Sequence, residues 1–267
     1  MKYLGIEPQR PRIAVFDFTC CEGCELQLCN KEETLADFLR AVEVVNFREV
    51  SSERRQDFEI AFIEGAISRT DEVDRLLRIR EQARVLVALG TCACFGGVNR
   101  LKNAHDLVAA NREVYGDFPK STQPVRAVKE VVDVDLEIPG CPVNKSEVER
   151  IVQHLIWDVP YTFPAYPVCL ECKQRFTVCM FDRGELCLGP ITKAGCNAPC
   201  PAAGLGCWGC RGPAEEPNFD EFLEIARRRG FDDREVQERV RFFGGFDFLD
   251  CSPGGRAGGS DKREVQR

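Results

Sequence analysis

The chain has 267 residues, of which 44% are hydrophobic, a size and composition typical of one large or two smaller globular domains. Its formal net charge of −7 argues against a nucleic-acid-binding protein, because such proteins present a basic face. No apolar stretch approaches the roughly 20 residues of a membrane helix, and the first residues contain no signal sequence, so we expect a cytoplasmic protein without membrane contact.

Strand and helix patterns alternate through the first half of the chain. Arg84–Leu89 is apolar almost throughout, as in a strand that is covered on both faces. The predicted strands are Arg12–Phe18, Val42–Phe47, Phe58–Ile63, Arg84–Leu89 and Val134–Ile138, and the predicted helices are Leu26–Arg40, Asp71–Gln82 and Ser146–Trp157. This alternation predicts an α/β fold, a doubly wound parallel sheet of the flavodoxin-like type.

The sequence pattern changes near Pro160. Between Cys169 and Cys210 the chain is rich in Gly, Pro and Cys with little periodicity, so it buries too little apolar surface to fold without metal. Asn218 is the predicted N-cap of a helix ending at Gly230, and a second short helix follows. We expect a flavodoxin-like domain over 1–160, a cysteine-rich domain over 161–215, C-terminal helices over 216–251 and a disordered tail over 252–267.

The chain contains 16 cysteines, an unusual number for a protein without a secretion signal. A reducing compartment keeps thiols free, so these cysteines indicate metal sites and not a disulfide framework. The two histidines, His105 and His154, lie outside the cysteine groups. Sites made of thiolates alone suit zinc or iron–sulfur clusters.

Three groups of cysteines directly follow predicted strands. In an open parallel sheet, ligands bind beyond the carboxyl ends of the strands, so residues distant in sequence meet there. Neighbouring glycines allow the backbone to approach a ligand closely. The pattern predicts a four-thiolate site made by Cys21, Cys24, Cys92 and Cys141. The tandem Cys20–Cys21 leaves open which of these two thiols reaches the metal.

A second block holds eight cysteines within about forty residues and predicts two four-thiolate sites. Its members are Cys169, Cys172, Cys179, Cys187, Cys196, Cys200, Cys207 and Cys210. The inner spacings do not match the paired knuckles of zinc ribbons, which favours iron–sulfur clusters over structural zinc. The remaining thiols, predicted to be small buried hydrophobic residues, are Cys20, Cys29, Cys94 and Cys251.

Cys21-Glu-Gly-Cys24, Gly90-Thr-Cys92-Ala93 and Pro139-Gly140-Cys141-Pro142 resemble the proximal-cluster motifs of nickel–iron hydrogenase small subunits. The segments from Cys187 to Cys196 and from Cys207 to Pro213 resemble the soluble, multimeric branch of that family. This branch includes the sulfhydrogenase delta subunit and the small subunit of F420-non-reducing hydrogenases. The resemblance covers almost the whole chain.

The resemblance implies three 4Fe–4S clusters with four cysteine ligands each. They are a proximal cluster on Cys21, Cys24, Cys92 and Cys141, a distal cluster on Cys169, Cys172, Cys179 and Cys187, and a medial cluster on Cys196, Cys200, Cys207 and Cys210. The membrane-associated branch has His in place of Cys169 and Pro in place of Cys200, where its medial cluster lacks one iron. The extra thiolates here imply full cubanes of lower potential. Oxygen-tolerant relatives have an additional cysteine pair that this chain does not match, so oxygen sensitivity is implied.

The resemblance also implies an oxidoreductase subunit that has no active site of its own. In this family nickel lies in a separate large subunit, and no Gly-x-Gly-x-x-Gly follows a strand here, so we expect no nickel, flavin or nucleotide in this chain. Electrons from hydrogen would pass through the clusters to another subunit, which we expect to be an iron–sulfur or flavin NAD(P) reductase. For proton reduction, the electrons would move in the reverse direction.

Several alternatives remain at this point. The acceptor could instead be a heterodisulfide reductase system, as in the F420-non-reducing hydrogenases. A respiratory NADH–quinone oxidoreductase subunit shares the flavodoxin-like half but carries one cluster and lacks the cysteine-rich block. A zinc scaffold and a free-standing ferredoxin-like carrier are the other two alternatives, and the second would not need a large α/β half.

Overall fold

The computed structural model describes residues 10–30, 35–117, 121–249 and 251. The chain divides after Pro164 into two compact units, and each unit has a hydrophobic core of its own. The disordered tail expected over 252–267 lies outside the described residues. In the part of the chain that is described, no helix combines the length and the apolar character needed to cross a membrane.

A five-stranded sheet forms the centre of the first unit. Its neighbouring strands are all parallel and lie in the order β2-β1-β3-β4-β5. The strands are β1 (Arg12–Asp17), β2 (Glu43–Asn46), β3 (Ile60–Glu64), β4 (Val85–Leu89) and β5 (Leu136–Ile138). This is the flavodoxin-type order, so the predicted fold class is confirmed. Every residue of β4 is buried, as its continuous apolar run predicts, and the same holds for β3.

Six α-helices accompany the sheet in the described part of this unit. They are α1 (Gly23–Cys29), α2 (Leu35–Ala41), α3 (Thr70–Gln82), α4 (Gly90–Phe95), α5 (Leu107–Tyr115) and α6 (Lys145–Ile156). Side chains of alternate strand residues enter two separate cores, since successive residues point to opposite faces. Ile151 of α6 packs in the core that contains Ile13, whereas Leu76 of α3 packs in the core that contains Ala14.

The predicted single helix over Leu26–Arg40 is wrong. Two helices occupy this region, and the first begins three residues earlier, at Gly23, and ends at Cys29. Asn30 leaves the helical conformation with a ψ of 47°, while its backbone N–H still donates to the Leu26 carbonyl. Residues 31–34, which separate the two helices, lie outside the described part of the chain.

The second unit combines the cysteine-rich segment with the C-terminal helices. Its helices are α7 (Val168–Gln174), α8 (Pro199–Ala202), α9 (Phe219–Arg228) and α10 (Asp233–Arg241). The Asn218 side chain accepts a hydrogen bond from the Glu221 backbone N–H at 3.0 Å, which confirms the predicted N-cap. Large side chains of α9 and α10, including Phe222 and Val236, share one core with Cys187. The cysteine-rich segment contributes Phe181 and Ile191 to this core, so the helices and the segment share it.

Candidate metal centres

The carboxyl edge of the sheet brings together the four cysteines predicted for the first site, here called the first set. Cys21 and Cys24 flank the turn from β1 into α1, Cys92 lies in α4 directly after β4, and Cys141 follows β5. Burial is the largest of the causes that raise the pKa of Cys92 to about 12, and the negative charges of Cys141 and Cys21 contribute to this rise. Burial likewise raises the pKa of Cys24, with contributions from Cys92 and Cys141. The four thiols are thus electrostatic neighbours.

Two glycines leave room for the sulfur atoms of this set. A Cβ atom at Gly90, whose φ is +87°, would lie 2.5 Å from the Sγ atom of Cys24. A Cβ atom at Gly97, whose φ is +60°, would lie 2.7 Å from the Sγ atom of Cys92. No side chain larger than hydrogen fits at either position without displacing a thiol. Such close backbone approach to sulfur suits a thiolate-bound cluster.

The geometry of the tandem cysteines differs between the two thiols. Cys21 is exposed, lies beside Gly23 and contributes its charge to the pKa of Cys92. Cys20 is half-buried, and its Sγ lies 3.5 Å from the Phe18 carbonyl oxygen, to which it donates. Burial is the main cause that raises the pKa of Cys20, to about 12. Cys21 is therefore the member of the pair that faces the other cysteines.

Glu64, which the sequence analysis did not single out, fixes the position of the first two cysteines. This residue ends β3 and is 2% exposed. Its carboxylate accepts hydrogen bonds from the backbone N–H groups of Cys24 at 3.1 Å and Glu25 at 2.7 Å, at the start of α1. A carboxylate in this position satisfies helix N–H groups that lack partners within the helix. The one feature of the sequence that could have indicated this role of Glu64 is a charged residue at the end of a buried apolar strand.

Two further polar groups approach the first set. Asn99 places its Nδ2 atom 3.7 Å from the Sγ atom of Cys92 and also donates to the Thr19 carbonyl at 3.0 Å. Glu25 is 1% exposed, and burial followed by the charge of Glu64 raises its pKa to about 8. N–H donors near sulfur are one of the means by which proteins adjust cluster potentials. These contacts depend on the fold and could not be predicted from local sequence.

The first half of the second block forms a group here called the second set. Its members are Cys169, Cys172, Cys179 and Cys187. Burial is the largest of the causes that raise the pKa of Cys169 to about 12, and the charges of the other three members contribute to this rise. A Cβ atom at Gly189 would lie 3.3 Å from the Sγ atom of Cys187 and 3.4 Å from that of Cys169, so the backbone passes close to two sulfurs of this set. All four thiols of the second set therefore lie near one another.

The last four cysteines of the block, here called the third set, are coupled in pairs. They are Cys196, Cys200, Cys207 and Cys210. The charge of Cys200 raises the pKa of Cys196, and the charges of Cys187 and then Cys210 raise the pKa of Cys207, in each case after the larger effect of burial. The backbone N–H of Cys207 donates to the Sγ atom of Cys187 at 3.2 Å, so the second and third sets adjoin at these two residues.

All sixteen cysteines are free thiols. Cys94 and Cys251 are fully buried, and Cys20 and Cys29 are half-buried. In the described residues, no group of three or more His, Cys, Asp or Glu side chains is close enough together for a single metal ion. Backbone N–H groups and glycines lie close to several of the sulfur atoms.

Comparisons with known proteins relate the chain to two kinds of redox complex. The sequence model of the family described as NADH ubiquinone oxidoreductase, 20 Kd subunit, matches residues 21–155, about half of the chain. This range contains the whole first set. The delta subunit of sulfhydrogenase 2 from Pyrococcus furiosus is 35% identical over 237 residues, which are 87% of this chain and 98% of that protein.

Two further comparisons also lead to hydrogenases. A vhu-type subunit of the F420-non-reducing hydrogenase from Methanococcus voltae is 29% identical over 238 residues, which are 77% of this chain and 83% of that protein. A chain in the crystal structure of an NAD+-reducing NiFe-hydrogenase in the H2-reduced state superimposes with a TM-score of 0.54 at 25% identity, over 58% of this chain and 96% of that one.

The glycine beside Cys24 provides a test of the first set. We expect Gly90→Ala to lose the metal held there, because the added Cβ would meet the Cys24 sulfur at 2.5 Å. The measurement is the iron content of the anaerobically purified complex. Gly116→Ala is the matched control, since Gly116 also has a positive φ, +57°, but no atom lies within 4 Å of the added Cβ. Equal iron content in both variants would show that Gly90 does not border a metal site.

Proposed function

We propose that this chain is the electron-transfer subunit of a nickel–iron hydrogenase. The chain belongs to the family of the NADH–ubiquinone oxidoreductase 20 Kd subunit, and its relatives are hydrogenase small and delta subunits. It is an oxidoreductase subunit that acts as part of a hydrogenase complex. The proposed role is to relay electrons between the nickel–iron site of a large partner subunit and an acceptor subunit, in the cytoplasm.

The observation that carries this proposal is the meeting of four free thiols at the carboxyl edge of the sheet. Cys21 and Cys141 are exposed in the isolated chain, whereas Cys24 is buried, so part of the set is accessible at the surface of the chain. A partner subunit that covers Cys21 and Cys141 would place its own redox centre next to the set.

Each set of four thiols is proposed to hold one 4Fe–4S cluster. The ligands are Cys21, Cys24, Cys92 and Cys141 for the proximal cluster, Cys169, Cys172, Cys179 and Cys187 for the distal cluster, and Cys196, Cys200, Cys207 and Cys210 for the medial cluster. When bound, such clusters supply one-electron transfer. The backbone N–H of Gly209, 3.5 Å from the Sγ atom of Cys207, and the Cys207 N–H to Cys187 are donors of the kind that surround cluster thiolates.

Bound metal would change the protonation state of the thiols. Burial and neighbouring thiolates raise the pKa values of Cys92, Cys169 and Cys196 to about 12, 12 and 11, so these thiols remain protonated near neutral pH without a cation. Cationic metal reverses this preference, because it binds the thiolate and releases the proton. Zinc would do the same, but the spacings of the second block do not resemble zinc ribbons.

The proposed acceptor is an NAD(P)-linked subunit with iron–sulfur or flavin cofactors. The similarity to a sulfhydrogenase delta subunit and to a chain of an NAD+-reducing hydrogenase supports this choice. The second candidate is a heterodisulfide reductase system, which the similarity to a subunit of an F420-non-reducing hydrogenase supports. The subunits that copurify with this chain distinguish the two candidates, since one acceptor reduces NAD(P) and the other a heterodisulfide.

The metal content of the native complex tests the proposal. We expect about twelve irons and about twelve acid-labile sulfides attributable to this chain, with nickel in a copurifying subunit. The measurement is elemental and sulfide analysis of the anaerobic complex, corrected for clusters assigned to other subunits. About four irons without nickel would instead support a respiratory-type subunit, and stoichiometric zinc without sulfide would refute electron transfer.

The ligand role of Cys200 gives a second test, because each cubane iron needs its own thiolate. We expect Cys200→Ala to lose about one iron and to produce the oxidised-state electron paramagnetic resonance signal of a three-iron cluster. The matched control is Cys251→Ala, which removes a fully buried thiol of the same unit that belongs to no set. An unchanged spectrum and iron content in the Cys200 variant would remove Cys200 from the ligands.

A further inference from the structure

The second unit buries a positive charge. Arg211 is 1% exposed, and among the described residues it is the one Lys or Arg that is buried. It directly follows Cys210 of the third set. A guanidinium stays protonated even when it is buried, so the fold holds a fixed positive charge directly after a cysteine of the third set.

Backbone pairing places Arg211 against the segment that leads to Cys196. The Lys193 N–H donates to the Gly212 carbonyl at 3.0 Å, and the Ala214 N–H donates to the Ile191 carbonyl at 2.8 Å. One residue beyond the Lys193–Gly212 bond, the Nε atom of Arg211 donates to the Ala194 carbonyl at 2.9 Å. The Arg211 side chain therefore contacts the backbone two residues before Cys196, and Arg211 itself directly follows Cys210 in the sequence.

The charge of Arg211 reaches the third set. It lowers the pKa of Cys196, against the larger effect of burial, which raises that pKa to about 11. A cubane held by four thiolates would be anionic, so a fixed positive charge beside its ligands would interact favourably with it.

An opposite charge acts on the same cysteine from α7. Glu171 is 8% exposed, and its carboxylate accepts hydrogen bonds from the backbone N–H groups of Gly195 and Asn197, both at 2.8 Å. Its charge raises the pKa of Cys196, opposite to the effect of Arg211. Two buried charges of opposite sign thus bracket one ligand of the third set, and Glu171 lies between Cys169 and Cys172 of the second set.

We infer that the buried guanidinium of Arg211 raises the reduction potential of the cluster held by the third set, an assignment that rests on the proposed iron–sulfur function. Reduction adds an electron to an anionic cluster, and a fixed positive charge nearby stabilises the reduced form more than the oxidised form. Arg211 is a positioning residue in this sense, because we infer that it acts through the electric field at the ligands.

The test is a redox titration of the anaerobic complex followed by electron paramagnetic resonance, with Arg211→Gln, Arg211→Lys and wild type compared. We expect one cluster transition of Arg211→Gln to move to lower potential while the others stay in place, and Arg211→Lys, which keeps the charge, to stay near wild type. Arg228→Gln is the control, because it removes the same charge from a side chain that is 64% exposed.

Each outcome decides the inference. Unshifted transitions in Arg211→Gln with all clusters present would overturn it. Loss of one cluster in Arg211→Gln but not in Arg211→Lys would support a requirement for the charge, whereas loss in both variants would assign Arg211 a packing role and overturn it. Iron and sulfide analysis of the wild type tests the proposed function separately, so failure of the clusters themselves would be recognised first.

Discussion

Four thiols from distant parts of the sequence meet in the first unit because all five strands of its sheet run in the same direction. Parallel strands place their carboxyl ends at one edge, and the turns after β1, β4 and β5 there carry Cys21, Cys24, Cys92 and Cys141. β3 ends at the same edge and contributes Glu64, which holds the start of α1. If the direction of any one of these strands were reversed, its ligand or anchor would move to the opposite edge.

Bringing four thiols together is not sufficient to make a metal site, because each ionised thiol disfavours the ionisation of the others. Burial and mutual repulsion raise the pKa of Cys92 to about 12, and the same two effects act on Cys169 in the second unit. Both units therefore have the same electrostatic problem, and the solution that we propose for both is bound metal, with glycines and backbone N–H donors near the sulfur atoms. The second unit buries charges of both signs, Glu171 and Arg211. Among the described residues of the first unit, the buried charged side chains are all carboxylates.

The fold class and the cysteine positions at the sheet edge could be predicted from sequence, because apolar runs mark buried strands and a topological rule says where their ends meet. The break after Cys29 could not, since amphipathic spacing continues across it and Asn30 ends the helix through its backbone conformation. The roles of Glu64, Asn99 and Arg211 were also missed. Each depends on which distant backbone or sulfur atom the side chain contacts, and local sequence does not contain that information.

The central claim is that the first set holds a cluster of iron and sulfide. Anomalous scattering at the iron absorption edge, measured on crystals of the anaerobic complex, tests it most directly. The account predicts iron peaks in this chain at three places, one of them bounded by Cys21, Cys24, Cys92 and Cys141. A peak at the zinc edge in that position, or no metal peak among those four thiols, would contradict it.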